Sequence, residues 1–174
     1  MKYLVRLFVV TLLLTISTHA YAEQKIVVLD LKYVLNNSKA GKGAQVFLKK
    51  LFNDNAKKFN KLEKELKEEE ADLLGKKTIL SKEDYKKKGE ALRKRVIDYQ
   101  SSRRKSLDEI STKRAKSREK LISKIQPIVD EYINKNEISI VIDKKNMLGG
   151  KPEYDITNTI VDKLDKELPS LKLE

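Results

Sequence analysis

The side chains best placed to do chemistry in this chain are lysines and arginines, and what they offer is electrostatic attraction. Residues 76–120 carry seventeen basic and seven acidic side chains, a net charge of +10, whereas residues 49–72 carry seven of each. Positive charge concentrated on one segment favours an acidic partner. The candidate contacts are Lys86, Lys87, Lys88, Arg93, Lys94, Arg95, Arg103, Arg104, Lys105, Lys113, Arg114 and Lys116.

The composition disfavours catalysis. The sequence has no cysteine and no tryptophan, and its single histidine, His19, lies near the N-terminus. The usual nucleophile, general base and soft metal ligands are therefore missing from the rest of the chain. No cluster of carboxylates or lysines suggests another chemistry. We expect no enzymatic activity, no metal and no cofactor.

The first 22 residues predict an export signal. Lys2 and Arg6 precede a ten-residue apolar core, Leu7–Ile16, and Ala20-Tyr21-Ala22 has the small-x-small pattern of a cleavage site. A bilayer-spanning helix needs about 20 apolar residues, so this core is too short to be one. We expect cleavage after Ala22 and an exported chain that begins at Glu23. The alternative is an uncleaved anchor.

The middle of the chain predicts a long helical hairpin. Residues 44–126 contain no proline and only two glycines, Gly75 and Gly89, and apolar residues recur at every third or fourth position. Such a length exceeds that of an ordinary globular helix and indicates a coiled coil or a hairpin. We expect the hairpin to span residues 38–120, with its tip near residues 75–81.

Apolar residues spaced by four and three form a narrow seam on each predicted helix. The seam also includes the polar residues Asn55, Glu69, Arg103 and Ser106, so we expect a flexible prong. Pairing the helices about a turn near residue 78 brings together Leu66 with Leu92, Phe59 with Val96 and Tyr99, and Leu48 with Leu107.

Serines provide the expected helix starts, because a hydroxyl can accept a free backbone N–H of the first turn. Ser38 is placed to begin the outgoing helix, and Ser81 precedes the returning helix near Lys82. Pro127 lacks a backbone donor and is expected to kink or restart the returning helix. A short amphipathic helix is expected after Asp155-Ile156-Thr157.

Valine- and isoleucine-rich segments on both sides of the hairpin predict strands at Ile26–Leu29 and Ile138–Ile142. Two or three short strands do not form a stable sheet alone, so several chains are expected to share strands in one core. The fold class is α+β, with a small β-containing body at residues 23–37 and 121–174. Its expected oligomerisation residues are Ile26, Val27, Val28, Leu29, Ile138, Ile140, Val141, Ile142, Ile156 and Ile160.

Four segments on this framework resemble the Skp/OmpH family of periplasmic chaperones across the whole exported chain. They are Lys25–Leu31 with Val34-Leu35, the lysine-rich hairpin, Ile140–Lys144, and Asp155–Thr157 followed by Ile160–Leu164. The resemblance implies a homotrimer with a β-barrel-like body and three helical tentacles around a cavity. It also implies that unfolded outer-membrane β-barrel proteins are the clients, held soluble without ATP. The family is linked to lipopolysaccharide and anionic membranes, but this chain shows no residue pattern for such a site.

The favoured function is therefore a periplasmic holdase with a cationic cavity. The alternatives are a basic envelope protein that binds lipopolysaccharide, anionic membrane or nucleic acid, and a structural coiled-coil spacer. Nucleic acid is not the expected partner, because the chain has an export signal and its basic segment lacks the interleaved aromatics of a stacking platform.

Overall fold

The computed structural model describes Tyr3 and residues 24–173. The predicted export signal, with its cleavage residues Ala20 and Ala22, lies outside the described residues apart from Tyr3. From residue 24 onward the chain forms, in order, β1 (Lys25–Leu29), α1 (Leu31–Asn37), α2 (Lys39–Gly75), α3 (Lys82–Lys135), β2 (Ile138–Asp143), 3-10 turns at Lys144–Asn146 and Pro152–Tyr154, and α4 (Thr157–Glu167).

The two long helices begin at the serines that the sequence indicated. The Ser38 hydroxyl accepts a hydrogen bond from the Gly41 N–H at 3.2 Å, and the Ser81 hydroxyl accepts one from the Asp84 N–H at 3.0 Å. These bonds satisfy donors that have no partner inside the helix. Asp30 caps α1 in the same way. The sequence patterns do not predict α1, which the structure reveals.

Gly41 is required where α2 passes over α1. A Cβ atom at this position would lie 2.0 Å from the carbonyl oxygen of Leu35. Gly43, two residues later, has nothing within 4 Å of the corresponding point. The first glycine therefore allows a close backbone approach, and the second has no such role.

The hairpin is built from α2 and α3, and at 37 residues α2 is about 55 Å long. The buried seam is thin. Leu48, Phe59 and Leu66 are buried on α2, and Leu92 and Ile110 are buried on the facing part of α3.

Two predicted contacts across the seam, Phe59 with Tyr99 and Leu66 with Leu92, are confirmed, and the contact of Phe59 with Val96 stays a prediction. The rings of Phe59 and Tyr99 meet edge to face with centroids 6.0 Å apart. Leu66 and Leu92 line one groove. The pairing of Leu48 with Leu107 is wrong.

Near the body, Leu48 instead shares a cleft with Ser117 and Leu121, and Leu107 lies beside Phe52 and Ile110.

Backbone hydrogen bonds from Lys77 to Leu74 and from Leu80 to Lys76, at 3.2 and 3.0 Å, continue the helical turns beyond Gly75. The chain reverses between Gly75, where α2 ends, and Lys82, where α3 begins.

Helix α3 continues through Pro127, so the helix does not restart at this proline, and a kink there stays a prediction. A proline inside a helix costs about 3 kcal/mol. Ile125, Ile128 and Val129 are buried around it, and each buried aliphatic side chain contributes about 1.5–3 kcal/mol. Packing therefore outweighs the lost hydrogen bond. The expected division after residue 120 falls inside this helix, where Leu121 begins the stretch that enters the core.

Strands β1 and β2 pair in parallel, which confirms both strand predictions. Ile26 lies opposite Ile140 and Val27 opposite Val141, after an irregularity between Lys25 and Ile26. On its other side β1 forms a bridge between Val28 and Asp155. Within residues 24–173 the sheet has two strands, and no further strand lies beside β2.

One hydrophobic core joins the sheet, α1, the end of α3 and α4. Its buried members are Val27, Leu29, Val34, Leu35, Ala40, Leu121, Ile125, Ile128, Val129, Ile138, Ile156, Ile160 and Leu164. The predicted amphipathic helix is α4, and Ile160 and Leu164 are its fully buried residues.

Hydrogen bonds from Asp155 and Thr157 fasten the start of α4 to the sheet. The Thr157 hydroxyl accepts from the Asp30 N–H at 2.9 Å, and Asp155 Oδ1 accepts from the Thr157 N–H at 2.9 Å. Lys144 donates to Asp155 Oδ2 at 2.6 Å, and the Ile156 N–H donates to the Val28 carbonyl at 2.9 Å. The Asp155–Thr157 segment therefore closes the body.

Candidate functional site

The predicted cationic residues all lie on α3, within the part of this helix that faces α2 or solvent. Lys113 is half-buried, and the other eleven predicted contacts are exposed. The helix holds them at fixed spacing, so Lys94, Lys105 and Lys116 recur every eleven residues, about three turns apart, on one face. The hairpin thus presents a long array of separated positive charges.

The two arms of the hairpin differ in how their charges are paired. Acidic residues of α2 pair with lysines one turn away, as in Glu63 with Lys67 at 2.8 Å and Asp72 with Lys76 at 2.6 Å. On α3, Arg95 reaches across the hairpin to Glu69. Apart from Arg95 and Lys113, the predicted contacts have no ion pair with any described residue. The excess charge is therefore unneutralised.

A polar contact midway along the hairpin ties the arms together. Tyr99 donates its hydroxyl hydrogen to Glu63 Oε2 at 3.2 Å. The hydrogen bond from Lys67 lowers the pKa of Glu63, and its charge and the Tyr99 bond act in the same direction. Burial raises the pKa of Tyr99, and the charge of Glu63 adds to this effect. Both groups therefore keep their ordinary charge states at neutral pH.

Two open grooves lie between α2 and α3. The first, near the body, has a volume of about 580 Å³ and is here called the base cleft; its lining includes Leu48, Phe52, Leu121, Lys49, Arg114 and Arg118. The second, the middle groove, has a volume of about 430 Å³, and its lining includes Glu63, Leu66, Lys67, Glu70, Leu92 and Arg93. Only Arg114 and Arg93 of these linings were among the predicted contacts.

Exposed apolar side chains lie close to these charges. Phe52, which the four-and-three spacing of apolar residues places in the predicted seam, is 51% exposed at the outer end of the base cleft. At the tip, Leu74 and Ile79 are exposed while Leu73 and Leu80 are half-buried. The hairpin therefore offers apolar contact area beside its cations.

The ten predicted oligomerisation residues divide by burial. Val27, Leu29, Ile138, Ile156 and Ile160 belong to the core of a single chain. Val28 is also buried, and Val141 and Ile142 are half-buried. Ile26 and Ile140 are 40% and 47% exposed, and they lie opposite each other on the sheet. This exposed pair is the part of the set that remains available to another chain.

The described residues give no independent sign of a metal or a membrane span. No group of three or more metal-ligating side chains comes together among them. Each of their helices is too short or too polar to traverse a bilayer.

Comparison with known proteins places this architecture in a family. The profile described as outer membrane protein (OmpH-like) matches residues 25–164. The chain therefore belongs to the OmpH-like family, a family of chaperones.

The individual relatives agree with this family assignment. A Skp-like protein from Pseudomonas aeruginosa strain PAO1 is 28% identical over 169 residues, which cover 95% of this chain and 99% of that protein. The crystal structure of an OmpH-like outer membrane chaperone from Caulobacter crescentus CB15 superimposes with a TM-score of 0.81, covering 91% of this chain and 94% of that one. At 18% identity the second likeness concerns the fold.

Proposed function

We propose that this protein is an ATP-independent periplasmic holdase that keeps unfolded outer-membrane β-barrel proteins soluble until they insert. Family membership supports the chaperone class and the periplasmic location. The observation that carries the mechanism is the contrast between the arms: several acids of α2 pair with lysines one turn away, whereas the predicted contacts on α3 other than Arg95 and Lys113 have no ion pair with a described residue. The acidic side chains of an unfolded client would contact the cations of α3, and its apolar side chains would contact the exposed apolar residues of the hairpin.

Many weak contacts suit this task better than a few strong ones. An exposed ion pair contributes about 0–1 kcal/mol, and screening limits its reach to about 8 Å at physiological salt. Multiplied over several hairpins around one client, such contacts give a high effective concentration while each one stays labile. The client can then rearrange and leave without any nucleotide.

We propose that the working form is a homotrimer with a shared β core and three hairpin tentacles formed by residues 38–120. A two-stranded sheet is marginal alone. The unpaired side of β2 and the exposed Ile26–Ile140 pair provide a place for a neighbouring chain. Export, with cleavage after Ala22, delivers the chain to the compartment where its clients are unfolded.

Dilution of a urea-denatured outer-membrane β-barrel protein into buffer with residues 23–174 tests the function. Light scattering should fall in proportion to the chaperone added. The variant with Arg103, Arg104 and Lys105 changed to Glu should bind the client about tenfold more weakly, since three contacts of up to about 1 kcal/mol are reversed. Its matched control changes Lys42, Lys50 and Lys57 on α2 to Glu, an equal change in net charge.

Equal losses of client affinity in the two variants would mean that the α3 array only keeps the protein soluble. Unchanged aggregation with the wild-type chain would favour a structural spacer. Tighter binding to DNA or to anionic vesicles than to the denatured barrel protein, at physiological salt, would replace the client in this proposal.

A further inference from the structure

The base cleft combines an apolar interior with a ready-made opening between three helices. Leu48 and Leu121 are buried in its wall, and Phe52 stands half-exposed at its outer end. Leu35 of α1 and Leu121 of α3 also belong to the hydrophobic core, so the walls are fixed by the body. A cleft held in this way is preformed and needs little ordering on binding.

The charge around the base cleft has a single sign. Lys49, Arg114 and Arg118 line it, and no acidic side chain does. None of the three has an ion-pair partner within residues 24–173. Two arginines one turn apart can each hold a carboxylate through two N–H donors. The cleft is therefore complementary to an apolar group that carries negative charge beside it.

The middle groove shows that this combination is not a general property of the hairpin. It has comparable apolar walls in Leu66 and Leu92, but its lining includes Glu63 and Glu70 as well as Lys67 and Arg93. Glu63 is already paired with Lys67 at 2.8 Å. A ligand carboxylate would meet repulsion there as well as attraction.

Polar groups at the rim favour a peptide over a lipid tail. The Gln45 side-chain amide donates to Asn36 Oδ1 at 2.9 Å, and both residues line the cleft. This bond leaves the Gln45 oxygen and the Asn36 amide hydrogens to accept from and donate to a peptide bond. An acyl chain would make no hydrogen bond with those groups.

We propose that the base cleft is a client subsite that captures a short segment in which an apolar, preferably aromatic, side chain is followed within one or two residues by a carboxylate. The apolar side chain packs against Leu48, Phe52 and Leu121, and the carboxylate binds Arg114 and Arg118. The inference rests on the proposed function, because it takes an unfolded polypeptide as the ligand.

Fluorescence anisotropy with a labelled, otherwise Gly/Ser-only peptide containing one Phe-Asp pair tests the subsite on residues 23–174. Two control peptides replace the Asp by Lys or the Phe by Ser. Changing Arg114 and Arg118 to Glu should weaken binding of the Phe-Asp peptide at least about tenfold, since charged hydrogen bonds are lost. The matched variant Lys120→Glu with Lys124→Glu removes the same net charge from another part of α3 and should change binding less than about twofold.

The outcomes separate this inference from the proposed function. Equal binding of all three peptides, equal losses in the two variants, or displacement by a fatty-acid carboxylate but not by excess peptide would each overturn the subsite. If the denatured barrel protein is held but the Phe-Asp peptide does not bind, the subsite fails while the holdase stands. If the peptide binds as expected but the barrel protein still aggregates, the subsite stands and the holdase fails.

Discussion

The body and the hairpin use opposite physical strategies. In the body, short elements from both ends of the chain contribute to one core of thirteen buried residues. Between them α2 and α3 extend far beyond that core, with Phe59, Leu66, Leu92 and Ile110 as the buried side chains of the outer seam. The body therefore carries the stability, and the hairpin carries exposed charge and apolar area. Substitutions in the two regions should therefore have different effects on the protein.

The sheet offers the sharpest version of this comparison, because two isoleucines two residues apart have different roles. Ile138 is 6% exposed and faces the core, and Ile140 is 47% exposed. Ile138→Asp should unfold the body, since a buried unpaired charge costs more than about 4 kcal/mol. Ile140→Asp should leave each chain folded but dissociate the proposed homotrimer. Circular dichroism and analytical ultracentrifugation distinguish the two.

A folded Ile138→Asp chain would contradict the assignment of this residue to the core. An oligomer that persists in Ile140→Asp would refute the shared sheet.

The seam allows the same comparison between two phenylalanines. Phe59 is buried against Tyr99, so Phe59→Ala should lower the free energy of hairpin opening by about 3 kcal/mol. Phe52→Ala should change it by less than about 1 kcal/mol, because that ring is already half in water. Hydrogen exchange of α2 amides measures both.

Phe52→Ala should nevertheless weaken binding of the Phe-Asp peptide. Phe59→Ala should affect binding of this peptide only through hairpin opening. If Phe52→Ala destabilised the hairpin and left peptide binding unchanged, Phe52 would belong to the seam.

The joint between the two regions depends on Gly41. Gly41→Ala should cost about 2 kcal/mol or more, because its Cβ would collide with backbone that cannot move aside cheaply. Gly43→Ala has open space and should instead stabilise α2 by about 0.5–1 kcal/mol. Thermal unfolding of both variants gives the sign of each change in stability. A stabilising Gly41→Ala would show that α1 and α2 are not held at this distance.

How far the sequence predicted the molecule depends on the range of each interaction. Local signals were sufficient for the helix starts at Ser38 and Ser81 and for both strands, since caps and periodicity act within a few residues. The register near Leu48 was missed because Leu48 shares a cleft with Ser117 and Leu121, which lie far along the chain and give no local signal. The helix does not restart at Pro127, because tertiary packing outweighs a local penalty.

The candidate site could likewise be predicted where it depends on local sequence, but not where it depends on tertiary packing. Charge counting located the α3 array, because net charge is a property of a segment. The base cleft was not predicted, since Leu35, Lys49 and Arg118 come from three helices and lie far apart in the sequence. Basic residues flanking apolar ones at the root of both long helices were the available signal, but it is common on helical surfaces.

The smallest expected effect concerns Asp155, which ties α4 to the sheet. Burial alone would raise its pKa, but the hydrogen bonds from Lys144 and Thr157 outweigh burial and lower it from the usual 3.8. A carboxyl whose pKa is lower in the folded state stabilises the fold above its unfolded pKa, and this stability is lost as the pH falls through the folded value. The contribution is therefore complete at neutral pH, begins to fall below about pH 4 and is lost once the pH is below the folded pKa.

Asp155→Ala should lower the free energy of unfolding at pH 7 by about 1–2 kcal/mol, chiefly through the lost Thr157 hydrogen bond, since Lys144 is exposed and its ion pair contributes little. Asp155→Asn keeps an acceptor for the Thr157 N–H and should lose less than Asp155→Ala. Urea unfolding from pH 7 to pH 2.5 measures both, and the wild type and Asp155→Asn should converge in acid. A constant difference across this range would mean that the charge of Asp155 has no part in closing the body, and that its shape alone holds α4 in place.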